Sequence, residues 1–557
     1  MNTSFHQKPL FWQLLAIVLL VIPFFAYLGA LPLDIRSDEP RRALVALEMM
    51  LSGDYLTPTL NGKLYFNKPP LYNWLIVASF KLFGNYSSYA LRFPMAISLV
   101  GYVITIFLLV KRQLGKQVAF AVALMLATNA RILVYDSYLG LIDTLFSWLT
   151  YTAFILVYQF DRSRNYWALF LITYILTALG FLMKGLPSVV FQGLTLLAYF
   201  TYTRQFKKLF LPAHFAGILV FVLIVSSYYI AYFTKNNVPL EKVAGVLFSE
   251  SSKRTVVEFG VGQTLLHILT FPFEMQYYYA PWLLLVILLF RKDAFQRLYR
   301  RVGSKAQRWG SPLLEAHPFV VFNLIIFFVN FIIYWTSPQV YARYLLMLLP
   351  LLFTIFTYVY YEHTTPNDWR RRVWEGFLGV AILIVTLGCW TAFFMPETKN
   401  IPGLWWKCSL LFGSFVFISW QYKRQLANRL LILFVFLAVV RIGFNWIILP
   451  GRIEKREFYK STSEEVARLT LDKNGRPYPL YSYNNSIGFD GATDVNSFHI
   501  EAVRGVVLQD TDQKIITSRD TTIYYIADSV SLVGKRYRTL KEFIIFEQRP
   551  AKLVQFE

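Results

Sequence analysis

The sequence predicts a polytopic α-helical membrane protein of about thirteen transmembrane helices, ending in a small extracytoplasmic α/β domain. Three observations carry this. Of 557 residues, 56% are hydrophobic and 16% charged, with mean hydropathy +0.44, whereas an ordinary soluble protein has about 25% charged residues. The apolar residues fall in runs of about 20, the length a helix needs to cross a bilayer core. After Pro450-Gly451 the composition turns abruptly polar to the end of the chain. This balance excludes a soluble enzyme and a disordered or fibrous chain. Two cysteines exclude a disulfide scaffold; Cys389 and Cys408 both fall in apolar runs and read as small packing residues.

The first run, Leu10 to Leu31, is too long for a signal-peptide core and shows no small-residue cleavage site, so it reads as an uncleaved first span. Further runs follow at 90–110, 117–135, 142–160, 165–183, 185–203, 210–234, 271–290, 318–337, 341–361, 375–395, 403–420 and 428–449. The loops between them alternate in charge. Lys111, Arg112 and Lys116 follow the second span, Arg162 and Arg164 the fourth, Arg204, Lys207 and Lys208 the sixth. A long basic loop from Arg291 to Arg308 follows the eighth, Arg370, Arg371 and Arg372 the tenth, and Lys423, Arg424 and Arg429 the twelfth. The positive-inside rule puts these loops and the N-terminus in the cytoplasm. The formal charge of +22 is therefore mostly a topology signal and calls for no nucleic acid; contact with anionic membrane lipids comes with it.

The odd loops are then extracytoplasmic, and two are long: 34–89 and 235–270. Residues 1–449 form the membrane domain and 450–557 the outer domain. In the latter, Thr462-Ser463-Glu464-Glu465 reads as the start of a short amphipathic helix. Strands are expected at Pro479–Tyr483, Phe498–Leu508, Thr522–Ile526, Tyr537–Phe546 and Lys552–Phe556.

Ionisable groups beside spans are costly and mark candidate sites. In this topology they crowd the outer side. The first outer loop holds Asp34, Arg36, Asp38-Glu39-Pro40-Arg41-Arg42, Glu48, Asp54 and Asn67-Lys68-Pro69-Pro70. Asp136 and Asp143 flank one turn, and Lys184-Gly185 sits between two apolar runs. Glu250, Arg254 and Glu258 lie in the second long loop, and Arg343-Tyr344 follow Ser337-Pro338. Carboxylates can act as general bases, and Lys and Arg bind phosphate. The set suits a lipid-phosphate substrate with a polar group to transfer. His267, alone beside an apolar run, reads as a packed or interfacial residue, Arg92 as an anchor of the second span, and the aromatic stretch at 271–282 as an interfacial belt.

Asp38-Glu39-Pro40-Arg41, then Ser52-Gly53-Asp54-Tyr55, then Asn67-Lys68-Pro69-Pro70-Leu71-Tyr72 resemble, in order, the first outer loop of the GT-C glycosyltransferases. The resemblance is to the protein O-mannosyltransferase-like superfamily, which includes the bacterial aminoarabinose transferases of lipid A. Leu141-Ile142-Asp143-Thr144, Met183-Lys184-Gly185-Leu186-Pro187 and Tyr341-Ala342-Arg343-Tyr344 through Leu349-Pro350 match weaker family features. The resemblance implies a GT-C fold and transfer of a sugar from a polyprenyl-phosphate donor to a lipid, glycan or protein acceptor. It implies Asp38, with Glu39 and Asp143, as the catalytic acids. It implies Arg41, Lys68 and Lys184 as donor-phosphate ligands, with Arg254 and Arg343 behind them, and Asn67, Tyr344 and Glu250 as further cavity residues. Asn67 stands where these transferases have a metal-ligating Glu, and their metal-binding His is missing near Glu250, so no tightly bound divalent metal or other cofactor is expected. Competing classes are a multi-span secondary transporter, a lipid-linked polymer ligase or polymerase, and a scaffold. Transporters carry repeats and midplane charges; this sequence shows no convincing internal repeat, and its charges crowd one face.

Overall fold

The computed structural model describes residues 8–34, 37–239, 241, 245–246, 249, 256–289, 317–483, 493–511, 522–546 and 549–557. The chain opens with α1 (Pro9–Ala26). The first outer segment, expected as loop, is largely built: α2 (Glu39–Ser52), a hairpin of β1 (Thr59–Leu60) and β2 (Lys63–Leu64), and α3 (Leu71–Phe83). Helices α4 (Ser88–Thr128), α5 (Ala130–Val134), α6 (Asp143–Arg162), α7 (Tyr166–Lys184), α8 (Pro187–Tyr202) and α9 (Pro212–Asn236) follow. After them come α10 (Val256–Tyr278), α11 (Pro318–Trp335), α12 (Leu349–Glu362), α13 (Trp369–Gly388), α14 (Leu404–Arg424) and α15 (Arg429–Gly443).

Seven described helices are long and apolar enough to cross a membrane: Pro9–Ala26, Ser88–Thr128, Tyr166–Lys184, Pro212–Asn236, Pro318–Trp335, Trp369–Phe394 and Leu426–Leu469. Helix α4 is broken at Gly115, whose φ of +83° only glycine adopts readily. The break falls in the basic turn expected between the second and third spans. Many outward-facing residues are apolar, including Leu14, Val18 and Ile22 of α1 and Leu219, Leu223 and Ile230 of α9, as a lipid environment demands. The continuous span expected at 271–290 is interrupted instead. Helix α10 stops at Tyr278, and a 3-10 segment, Trp282–Leu289, takes over after Pro281, which has no N–H to continue the helical ladder. His267 is buried, its Nε2 3.3 Å from the Tyr334 carbonyl oxygen. Both cysteines are buried and unbridged. The basic loop at 291–308 lies outside the described residues.

A π-helical turn, Phe444–Ile448, carries α15 directly into α16 (Leu449–Leu469). The helix expected to begin at Thr462 therefore begins at Leu449. The hydroxyls of Thr462 and Ser463 do not cap; each turns back to the carbonyl four residues earlier, Phe458 and Tyr459, at 2.7 Å. The rest is β3 (Leu480–Tyr483), α17 (Asp494–Arg504), β4 (Gln509–Thr511), β5 (Tyr524–Asp528), β6 (Tyr537–Phe546) and β7 (Arg549–Phe556). The sheet order is β4-β3-β5-β7-β6, with β3 parallel to both neighbours and β7 antiparallel to both of its own.

The strand expected at Phe498–Leu508 is instead helix α17, ended by Gly505 at φ +69°. Its apolar residues are divided between two partners. Ile500 and Val503 pack on the sheet with Val466, Leu480, Ile526 and Leu553. Val495, Phe498 and Ala502 pack instead on the large membrane core that contains α2. A helix with two buried faces loses the single-face period and imitates strand alternation. Helix α2, held between α3 and α17, is buried from Arg42 to Met49 for the same reason.

Candidate functional site

Four chain segments bring the acids and cations together. Asp38 is the residue before the first turn of α2, and its carbonyl takes the Arg42 N–H at 3.2 Å. Asp143 is the first residue of α6, where the helix dipole favours a carboxylate. Lys184 is the last residue of α7, where the dipole favours a cation. Gly185, at φ +77°, turns the chain sharply into α8 and leaves Lys184 at the corner. Arg343 and Tyr344 sit in a short 3-10 turn, Ala342–Leu345, before α12.

The geometry centres on Asp143, which is buried. Lys184 Nζ lies 2.5 Å from its Oδ1, and Arg343 Nε lies 3.1 Å from its Oδ2 as an ion pair. Arg343 also donates through Nη2 to Asp38 Oδ2 at 2.7 Å. One guanidinium thus bridges two carboxylates from distant parts of the chain. Arg343 is itself buried, and both carboxylates offset the cost of burying its charge. Aromatic faces complete the cage. Lys184 Nζ is 3.8 Å from the Tyr344 ring centre, and the Arg343 guanidinium 4.4 Å from that of Tyr341, close enough for cation–π attraction. Lys68, half-buried beside Asn67 in the loop before α3, is within electrostatic reach of Asp143. Asp38 alone is open: its side chain is 59% exposed, against 4% for Asp143.

Two of the residues grouped with these by sequence, Glu39 and Arg41, take other partners, though Arg41 stays within electrostatic reach of Asp38. Glu39, next to Asp38, is fully buried. Its Oε1 accepts from Arg92 Nε at 2.6 Å and from the Gly140 N–H at 2.6 Å, and its Oε2 from Arg92 Nη2 at 2.9 Å. Arg92 also donates to the carbonyls of Leu28, Leu31 and Pro32. With both oxygens occupied, Glu39 clamps α2 to α4 and the first span, and has no face toward a substrate. Arg41 donates to Asp494 Oδ2 of α17 at 3.0 Å, so it ties the first outer segment to the C-terminal sheet region. Glu250 and Arg254 lie outside the described residues, as does the side chain of Glu258.

Sequence reading missed the surface that Arg41 joins. Glu48 of α2 accepts the backbone N–H groups of Asn61 and Gly62 in the hairpin turn at 2.5 and 3.2 Å. Glu501 of α17 accepts the Leu508 N–H at 2.9 Å. Both acids are buried and repel each other, so burial, then this repulsion, raises Glu501 well above an ordinary carboxyl. Burial likewise pushes Glu48 up to about 7. The only advance signal was Glu48 within an outer loop; Glu501 is hidden in apparent strand alternation.

The donor set does not suit a divalent cation. Asp38 and Asp143 already neutralise Arg343 and Lys184, Asn67 offers an amide, and among the described residues no three His, Cys, Asp or Glu side chains converge. What the cluster offers is a fixed group of cations, one buried acid between them and one accessible acid at the rim.

Residues 67–230 match the family model described as dolichyl-phosphate-mannose-protein mannosyltransferase. The undecaprenyl phosphate-alpha-4-amino-4-deoxy-L-arabinose arabinosyl transferase of Shewanella sediminis is 28% identical over 192 residues, 33% of this chain and 35% of that protein. The enzyme of the same description from Sodalis glossinidius is 29% identical over 196 residues, 34% of this chain and 35% of its own. The chain therefore spans about a third of the length of the curated relatives it matches. Among solved structures, ArnT from Cupriavidus metallidurans bound to undecaprenyl phosphate superposes with a TM-score of 0.67 at 17% identity, over 98% of each chain. The chain thus has the fold of that ArnT structure along its length, and its residues 67–230 are similar to the dolichyl-phosphate-mannose-protein mannosyltransferase family model.

Proposed function

We propose that this chain is a membrane glycosyltransferase, moving a sugar from a polyprenyl-phosphate donor to a hydroxyl of a lipid A-like lipid, a glycan or a protein at the extracytoplasmic face. The reading places it in the bacterial inner membrane with the N-terminus cytoplasmic, residues 1–449 as the membrane domain and 450–557 as the periplasmic domain. The observation that carries it is the bridge from Asp38 through Arg343 to Asp143, with Lys184 on the same carboxylate.

In the transfer, the bond between the anomeric carbon and the phosphate oxygen breaks, and its electron pair stays on the phosphate. A bond forms from the acceptor oxygen to the anomeric carbon, and the acceptor proton passes to Asp38. Charge on the leaving phosphate grows along this path, so Lys184, Arg343 and Lys68 stabilise the transition state more than the ground state. Asp143 is too buried to meet the acceptor and serves to hold the two cations in place. Asp38 is at the rim, where an acceptor can arrive. Within this reading Glu39 and Arg41 act on the scaffold rather than on the substrate.

The test is a transfer assay in membranes with a panel of polyprenyl-phosphate sugars. Asp38→Asn, Lys68→Ala and Lys184→Ala should each lose activity on every donor that the unmodified protein uses. Full activity of all three on any such donor would sink the assignment.

A further inference from the structure

A second feature lies outside the ionic cluster. Between α1, both halves of α4 and α5 runs a groove of about 400 Å³. Its walls are apolar: Ile17 and Val21 of α1, Val103 and Ile104 from the first half of α4, and Leu124 from the second. Ile17, Val21 and Ile104 are each at least 40% exposed, so the groove opens sideways, on the surface that faces lipid. The wall residues of α4 from Leu99 to Phe107 span about 12 Å at 1.5 Å per residue, room for a length of hydrocarbon chain.

One end of the groove is polar, and the polar group is a buried cation. Arg441 of α15 is 3% exposed. Its Nη1 donates to the Leu133 carbonyl and to Ser137 Oγ, and its guanidinium lies 3.8 Å from the Tyr138 ring centre. Its Nε and Nη2 have no hydrogen-bond partner. No carboxylate among the described residues pairs with it. Removing a charge from water is costly even after relaxation, and cation–π contact with one tyrosine returns only part of that cost. A lone cation with open donors at membrane depth marks a binding function. What completes it must be an anion, and the walls leading to it admit hydrocarbon.

We propose that this groove is a lipid site, with the phosphate of an anionic phospholipid on Arg441 and one acyl chain lying between α1 and α4. The site is distinct from the Asp143 cluster but mechanically joined to it. The 3-10 turn Asp136–Tyr138 presents Ser137 and Tyr138 to Arg441, while its Asp136 pairs with Arg131 and acts electrostatically on Arg343. The lipid therefore grips one side of a turn whose other side borders the cluster. The proposal stands whether or not the cluster transfers sugars.

The experiment uses the full chain, purified in detergent, delipidated, and then loaded with phosphatidylglycerol, with retained lipid counted by native mass spectrometry. One phosphatidylglycerol should be retained per chain. Retention should fall at least tenfold in Arg441→Met, and as far in Val103→Trp, which fills the groove without touching the cation. It should be unchanged in Lys184→Ala. Diacylglycerol, with the chains but no phosphate, should not be retained, and millimolar inorganic phosphate should not displace the lipid. Equal retention by Arg441→Met and the unmodified protein overturns the proposal, as does equal retention of diacylglycerol. So does displacement by inorganic phosphate, or a loss confined to Lys184→Ala. If Arg441→Met fails to fold, Val103→Trp decides: undiminished retention there overturns the site.

Discussion

Asp38 and Glu39 are neighbours in sequence, carry the same chemistry and meet opposite fates. Glu39 is sealed in a fully satisfied ion pair with Arg92, with no exposed side-chain surface on either partner. Asp38 is 59% exposed and reaches a single guanidinium. The difference arises because Glu39 lies one residue further into the helix start, where its side chain turns toward the first span and α4. Burial without orphaned lone pairs makes a structural clamp. Exposure beside fixed cations makes a group that can exchange a proton with a substrate.

The comparison can be broken directly. Glu39→Gln removes one charge and leaves Arg92 buried and unpaired, which should destabilise the fold by about 3–5 kcal/mol. Folded yield and thermal unfolding in detergent measure this; a melt like that of the unmodified protein would make Glu39 no clamp. Asp38→Asn should do the reverse, with an unchanged melt and transfer reduced on the order of 10²–10⁴-fold, as for loss of a general base. If Asp38→Asn unfolds while Glu39→Gln merely slows transfer, the two roles are exchanged.

The buried acids Glu48 and Glu501 sharpen the contrast, because each is held by backbone N–H groups rather than sealed in an ion pair like that of Glu39. Glu48 rises from 4.5 to about 7 on burial, so the folded interface binds protons more readily than the open one. Its contribution is full below 4.5 and is lost as pH climbs to about 7. Limited proteolysis of the C-terminal region should accelerate across that window, and Glu48→Gln should flatten the rise. Proteolysis that slows with rising pH would contradict the arrangement. The smallest effect belongs to the surface pair Lys235–Asp54, 2.8 Å apart with Lys235 49% exposed. Lys235→Ala should cost under about 1 kcal/mol, and less in high salt. A larger loss in the melt would show that this pair is shielded from water.

Much of this protein was legible in the chain itself. Apolar runs and alternating basic loops announce a membrane bundle, because both depend only on local composition and length. The abrupt polar turn at Pro450 announced the small sheet region, and β3, β5, β6 and β7 lie close to where alternation placed them. Asp38, Asp143, Lys184 and Arg343, which the sequence grouped as candidates, do meet. Arg441 was a harder case: a single arginine inside an apolar run is visible to any reader, but only its orphaned donors and the groove beside it give it meaning.

What the tertiary structure alone decided is partnership. Sequence placed Asp38, Glu39 and Arg41 in one site, and packing sent Glu39 to Arg92 and Arg41 to Asp494. It also turned Phe498–Leu508 from an apparent strand into a helix with two buried faces. Composition and periodicity report which groups must leave or meet water, since those are properties of each residue and its near neighbours. Which acid pairs with which cation depends on contacts between residues far apart along the chain, and these exist only once the helices are packed.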